Sequence, residues 1–305
     1  MLNYYGRLTL TIAVVTITLL MSGFSALPTA LATSSGSTDI GDAFAFIEQT
    51  RAQAQRNAQV AHQVLGYSTG GLPITGYSFG TGSQRVVFIG GIHGGYEWNT
   101  VVLAYAAIDY FIKNPATVPE TVTLQIIPVA NPDGLNWVAD AMGRFDKAPA
   151  ALSTVEGRFN QNRVDLNRNW GCKWQSAAWW GVREVSGGSR PFSEIETRVL
   201  RRFLQEDEGV EAVVFWHSAG DGVFPGHCGE RLPDADALAL LYANAAQYPV
   251  HASFGTYEVT GDATDWLAAQ GIPALVVELT SHNDAERQQN LRAMRAVLEE
   301  MGANK

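Results

Sequence analysis

The 305-residue sequence is short of several things, and each shortage excludes something. Charged residues are only 17%, yet hydrophobic residues reach 46%, so a sizeable core is expected and wholesale disorder is excluded. Lys plus Arg total 21 against 30 Asp plus Glu, a formal charge of −9, and there is no long basic run. Such a chain is a poor binder of phosphate backbones, which sets nucleic acid aside as a partner. Residues 60–300 contain no internal repeat and no low-complexity linker, so they should form one domain. Cysteine is nearly absent: Cys172 and Cys228 are the whole complement. None comes after the N-terminal apolar run, which argues against a lipid-anchored lipoprotein.

That run is the one long apolar stretch. Arg7 precedes Leu8 to Met21, then Ser22-Gly23-Phe24, then small residues ending Ala30-Leu31-Ala32. A basic start, a short apolar region and an Ala-x-Ala site describe a secretory signal peptide over residues 1–32, cleaved after Ala32. An uncleaved membrane anchor is the alternative, since roughly 20 apolar residues span a bilayer. The interrupting threonines, Pro28 and the Ala-x-Ala site favour cleavage, hence a secreted or periplasmic protein without stable membrane association. Export places the two cysteines where disulfides survive, and one Cys172–Cys228 bridge is the simple reading. The alternative is that Cys228 and adjacent His227 contribute to a metal site.

After the leader, residues 33–64 form a small polar lead and a helix, the helical pattern running over about 41–65. Residues 65–305 then form the main domain. Apolar runs at 86–92, 122–130, 212–216 and 274–277 are buried-strand candidates. Helical patterning intervenes at about 98–113, 193–206, 234–247 and 284–301. Ser193 with Glu196 has capping-box spacing, and Gly302 is placed to end the last helix. Alternation of this kind predicts an α/β fold: a single-domain three-layer sandwich with a mixed, mostly parallel central sheet and helices on both faces.

In open α/β sheets ligands bind beyond the carboxyl ends of strands, so the residues just past each apolar run are a test of function. The first run ends in His93, with Glu97 four residues on; the second ends in Asn131-Pro132-Asp133-Gly134; the third ends in His217; the last ends in Glu278. Two His and one Glu form a known catalytic zinc set with a position left open. A further carboxylate beside it can serve as general base. Glu278 directly succeeds Ala-Leu-Val-Val, and burying an unpartnered carboxylate is costly enough to need a reason. His62, His227, His251 and His282 are read as hydrogen-bonded structural residues, and Asn131 and Asp133 as shaping a turn.

The segment Arg158-Phe-Asn-Gln-Asn-Arg-Val-Asp-Leu-Asn-Arg-Asn-Trp170, with His93, Glu97, Asn-Pro-Asp-Gly, His217-Ser218 and Glu278 in order, resembles the zinc metallocarboxypeptidases, the carboxypeptidase A-like peptidases. The likeness runs from about Leu65 to the C-terminal helix. It implies one zinc ion held by His93, Glu97 and His217, with Asp165 accepting the second ring proton of His93. It implies that Asn167 and Arg168 bind a substrate's terminal carboxylate, for which an Arg fork is suited. Arg158 would polarise the scissile carbonyl and stabilise its oxyanion. Glu278 would take a proton from the metal-activated water and pass it to the leaving amine. Tyr257, eight residues before Asp265-Trp266, would cap the substrate, and Thr264 would face the terminal side chain, with Asp262 close by.

Two departures accompany the resemblance. The family spaces its first His and Glu by two residues, whereas Gly94-Gly95-Tyr96 makes three here, an insertion that glycine can absorb. Between Ala32 and Leu65 there is no room for a separate inhibitory prodomain, which implies a prodomain-free, exported bacterial type. Relatives of that type include enzymes cleaving the γ-D-glutamyl–diaminopimelate bond, so the expected partner is a peptide or cell-wall peptide. Two competing readings are a zinc deacylase of N-acyl amino acids, aspartoacylase-like, and a non-catalytic binding module. The aromatic stretch Trp170, Trp174, Trp179, Trp180 is read as packing for a long loop rather than as a cleft rim.

Overall fold

A strand buried on both faces sends successive side chains into two different cores, and this alternation organises the molecule. The computed structural model describes residues 60–145, 153–205, 209–255 and 257–303. The expected signal peptide and the expected helix up to residue 59 lie outside the described residues. The strands, in order, are β1 (Val60–Tyr67), β2 (Pro73–Phe79), β3 (Gln84–Ile89), β4 (Val122–Ile127), β5 (Ala177–Trp180), β6 (Arg183–Ser186), β7 (Val210–Ser218), β8 (Gly222–Pro225), β9 (His227–Cys228), β10 (Glu230–Arg231) and β11 (Ala274–Leu279). The helices are α1 (Trp98–Lys113), α2 (Pro132–Ala139), α3 (Ile195–Gln205), α4 (Pro233–Ala246), α5 (Ala263–Ala269) and α6 (Arg287–Ala303).

Seven strands form the main sheet in the order β1-β2-β4-β3-β7-β11-β8. Its centre, β4-β3-β7-β11, is parallel, and β1, β2 and β8 add antiparallel edges. Val86 and Phe88 of β3, with Val214 and Trp216 of β7, pack on the face covered by α1, α4 and α6. Val87 and Ile89, with Val213 and Phe215, pack on the other face against α3, α5 and Trp170. The three-layer α/β sandwich expected from the alternation of elements is therefore present. Among the described residues no helix is long and apolar enough to cross a membrane.

Local expectations fared unevenly. Helix 98–113 is found at the expected bounds. The helical pattern expected to reach residue 65 is wrong over its last turn, because Val60–Tyr67 is a strand paired antiparallel with β2. An edge strand of this kind, exposed at Ala61 to Val64, needs no apolar alternation to declare itself. The expected domain boundary at 64/65 falls inside it. Asn131-Pro-Asp-Gly opens a helix rather than a simple turn: Asn131 caps α2, its Oδ1 accepting from Gly134 N at 2.9 Å, with Pro132 in the first turn. The Ser193/Glu196 capping box does not form. The Ser193 hydroxyl donates to Glu194 at 2.7 Å, and the Glu196 carboxylate reaches across to Thr69 N at 2.9 Å. Gly302 lies inside α6 rather than past it, and a Cβ there would meet Pro119 at 2.6 Å.

Candidate metal centre and substrate cleft

Parallel strands deliver their carboxyl ends to one edge of the sheet. Three of them converge here: His217 and Glu278 are neighbours in the β7–β11 register, and His93 leaves the end of β3. Glu97 precedes the first residue of α1, its carbonyl oxygen accepting from Thr100 N and from the Thr100 hydroxyl. The additional residue between His93 and Glu97 is taken up by the two glycines. Gly94 has φ +46°, and a Cβ there would stand 2.6 Å from Gly157 O. At Gly95 a Cβ would stand 2.5 Å from Val138 Cβ, so this turn is pressed against α2 and the Arg158 segment.

His93 Nδ1 lies 2.7 Å from Glu97 Oε1 and 3.1 Å from His217 Nδ1, while His217 Nδ1 lies 3.0 Å from Glu97 Oε2. Behind it, His93 Nε2 stands 3.2 Å from Asp165 Oδ1, and Asp165 Oδ2 accepts from Arg158 Nε at 2.8 Å. Both ring nitrogens of His93 thus face carboxylates, Nε2 toward Asp165 and Nδ1 toward Glu97; with a cation held at Nδ1, the ring proton would sit on Nε2. Arg158 Nη1 approaches from one side, 3.2 Å from His93 Nδ1 and 3.8 Å from Glu97 Oε1. Glu97 Oε2, despite its close approach to His217, is buried without a hydrogen bond. Donor atoms of His93, Glu97 and His217 all lie within 4.8 Å of one another. Two imidazole nitrogens and a carboxylate oxygen are ligands zinc prefers, and the residues fit that ion.

The charges around this centre are polarised. Burial opposes ionisation of Glu97, but His93 and His217 outweigh it and hold the carboxyl well below its ordinary range. For Asp165 burial is likewise overcome, by Arg158 and His93. Glu278 goes the other way: burial and the neighbouring Glu97 charge push it well above the ordinary carboxylate value against a weaker pull from Arg158. A carboxyl biased in this direction holds a proton more readily than an exposed one.

The same cavity, about 390 Å³, contains Asn167, Arg168, Tyr257 and Thr264 as well as Arg158 and Glu278. Asn167 and Arg168 sit in a short 3-10 turn, Leu166–Arg168, begun by Asp165, whose Oδ1 accepts from Asn167 N at 3.0 Å. Asn167 Nδ2 donates to Asp262 Oδ2 at 2.8 Å. Arg168 donates to Trp179 O, Asn167 O and the Tyr257 hydroxyl at 3.1, 2.7 and 3.1 Å. Asp262 caps α5, its Oδ1 accepting from Thr264 N and Oγ1. Every expected site residue is thus brought to one place, with Asp165 directly behind. A disulfide joins Cys172 to Cys228 (Cα–Cα 5.9 Å), so Cys228 is not a metal ligand; the backbone N–H of His227 donates to Asp265 Oδ1 at 2.8 Å.

Sequence reasoning missed part of the wall. Trp180 lies over the Arg158 guanidinium at 4.5 Å, Tyr96 packs edge-on to it, and His282 lies 4.7 Å from the Tyr96 ring; all three line the cavity. The packing role expected for the tryptophan stretch holds for Trp170, which is fully buried, but Trp180 is a cleft residue and Trp179 is largely exposed. His282 and His227, read as structural, also face the cavity. The one local signal was the aromatic density of 170–180 itself.

The α/β sandwich with a buried His-Glu-His group at the carboxyl edge of its parallel strands defines a protein with a candidate zinc centre. Residues 46–296 match the zinc carboxypeptidase family, peptidase family M14, and the chain belongs to it. Zinc carboxypeptidase A 1 of Anopheles gambiae is 29% identical over 68% of this chain and 52% of its own length. Among solved structures, the carboxypeptidase A of Helicoverpa armigera matches with a TM-score of 0.62 at 20% identity, covering 87% of this chain and 72% of that one. The murein-tripeptide amidase MpaA of Escherichia coli O157 matches with a TM-score of 0.56 at 22% identity, covering 78% and 91%. The chain spans about half to three-fifths of the length of the curated relatives it matches.

Proposed function

We propose that this protein is an exported, zinc-dependent peptidase that hydrolyses the amide bond next to a substrate's free C-terminal carboxylate. The observation that carries the reading is the meeting, in one cavity, of the His93-Glu97-His217 donors with Glu278, Arg158 and the Asn167-Arg168 turn. His93, Glu97 and His217 would hold zinc, which when bound supplies Lewis acidity toward a carbonyl oxygen and toward water. Asp165 fixes the His93 ring by accepting its Nε2 proton. Arg168 and Asn167 receive the terminal carboxylate, with the Tyr257 hydroxyl closing over it. Arg158 donates to the oxygen that gains negative charge as the carbonyl becomes tetrahedral. Glu278 takes a proton from the attacking water on a carboxylate oxygen and returns it to the departing nitrogen. The disulfide agrees with export.

Polar groups at the far end, Thr264, Asp262 and Asp265, accommodate a polar terminal side chain. The same reading therefore extends to cell-wall peptides ending in a diamino acid. The test begins with zinc content of the purified protein and hydrolysis of a panel holding ordinary dipeptides, a γ-D-glutamyl–diaminopimelate peptide and N-acyl amino acids. Expected are about one zinc per chain and peptide cleavage that is lost on chelation and restored by zinc. Glu278→Gln should lower kcat by about 10²–10⁴-fold with the metal retained. Cleavage of N-acyl amino acids alone would move the assignment to a deacylase, and activity indifferent to Glu278→Gln would end the peptidase reading. Export is checked separately by the N-terminus of the extracellular protein, expected at Thr33.

A further inference from the structure

Hydrogen-bond accounting settles which nitrogen of His282 carries the proton. Both hydrogens of Asn99 Nδ2 are used, toward Ser281 O at 2.7 Å and Asp284 O at 2.9 Å, so Asn99 Oδ1 is oriented as an acceptor. The Ser218 hydroxyl donates to it at 2.9 Å. With its single hydrogen committed, Ser218 Oγ can only accept from His282 Nδ1, 2.9 Å away. His282 is therefore the Nδ1–H tautomer, anchored in the wall through Ser218, which is only 5% exposed. His282 lines the cavity, and its one hydrogen bond among the described residues runs through Nδ1, which leaves Nε2 as the ring nitrogen with capacity to spare. Tyr96 packs against the ring, and burial lowers the imidazole below its ordinary pKa, which favours the neutral form.

We propose that His282 Nε2 accepts a hydrogen bond from an amide N–H on the acyl side of the scissile bond, making this wall selective for peptides over simple N-acyl amino acids. The proposal rests on the peptidase reading above and names a specificity that reading leaves open. Arg158, Tyr96 and Trp180 mark this side of the cavity as the acyl side: Asn167 is tied to Asp262 at the start of α5, whereas Tyr96 and Trp180 pack on Arg158 and His282 packs on Tyr96. A substrate that ends in a plain acyl group has no N–H to offer there. One that continues as a peptide has.

The experiment compares benzoyl-glycyl-X with O-benzoylglycolyl-X, X being the terminal residue best cleaved in the panel; the pair differs by N–H against O. The zinc-loaded wild-type protein should favour the N–H substrate by roughly three- to tenfold in kcat/KM, mostly through KM. H282N keeps a donor toward Ser218 but loses the Nε2 position, and should bring the ratio to about one. H282Q reaches the Nε2 position with an amide oxygen and should retain most of the preference. A readout without turnover comes from imidazole ¹⁵N spectra, His282 being the signal missing in H282N. It should show the Nδ1–H tautomer, with Nε2 moving on addition of benzoyl-glycine but not of O-benzoylglycolate. Peptide cleavage without N–H preference, or an Nε2–H tautomer, overturns the proposal while leaving the peptidase reading intact. The expected spectra in a protein that cleaves no peptide would support the acceptor and sink the peptidase reading instead.

Discussion

The two ends of the cleft are built differently. At the metal end each group is tied to several others: Asp165 accepts from His93 Nε2, Arg158 Nε and Asn167 N, and Arg158 also approaches His93 Nδ1 at 3.2 Å. His93, Glu97, Arg158, Asp165 and His217 are all buried. At the recognition end the wall is a rim: the β5–β6 hairpin leaves Trp179 47% and Val182 99% exposed, and Tyr257 is held to Arg168 by a hydroxyl contact. Groups that must stabilise developing charge are fixed before substrate arrives. Asn167, Arg168, Asp262 and Thr264 are buried too, so the contrast lies in the exposed hairpin tip beside them, where local opening costs less.

Breaking the metal end should have the largest effect. Asp165→Asn leaves Arg158 buried with its principal counter-charge gone, which costs on the order of 3–5 kcal/mol. It also unsettles the His93 tautomer, and zinc affinity should fall by about 10–100-fold. Urea unfolding and chelator competition measure the two, and a stability loss under about 1 kcal/mol would mean that the centre is less tightly tied than its distances imply.

The recognition end has one strong constraint, and removing it comes next in size. The Cys172–Cys228 bridge spans 56 residues and joins the segment after Trp170 to β9, beside the cavity. Cys172 O also accepts from Gly261 N, so the bridge braces the entry to α5 and Thr264. Replacing both cysteines with serine should cost about 2–4 kcal/mol in stability. Among the kinetic constants KM should rise, with kcat changing less, because the reacting groups are held elsewhere. An equal fall in kcat would show that the two ends are mechanically one.

The same contrast explains what could be read in advance. His93, His217 and Glu278 terminate continuous apolar strands, a short-range pattern, and the Arg158-to-Trp170 segment carries its spacing in one stretch of chain. The parallel core was legible for the same reason: Val86–Ile89 and Ala212–Trp216 are apolar on both faces. Trp180 and His282 were not legible as cleft residues, since only the packing of a hairpin and of the loop after β11 around Arg158 brings them together. Strand β1 was hidden because its partner, not its own periodicity, makes it a strand. Helix α5 escaped because it is two turns long, and its start rests on Asp262, whose other oxygen answers to Asn167, 95 residues away.

The smallest effect sharpens the comparison electrostatically. Asp265 lies in the first turn of α5, beside Asp262, and its Oδ1 accepts from His227 N. Burial, reinforced by the Asp262 charge, pushes its carboxyl from the ordinary 3.8 up to about 7, against the His227 backbone hydrogen bond and the charges of Lys173 and Arg168. In the unfolded chain Asp265 releases its proton near the ordinary value, while the folded protein retains it to about pH 7. Between those limits the folded state binds more protons, so its stability falls as pH rises and levels off above about pH 7. Asp265→Asn removes this fall and still offers an oxygen to His227 N. The variant should match the wild type near pH 4 and exceed it at pH 8, by about 2–4 °C in Tm. Equal pH slopes would mean that the His227 N–H, Lys173 and Arg168 compensate Asp265 fully. The recognition end would then be as well compensated as the metal end, and the electrostatic half of the contrast would disappear.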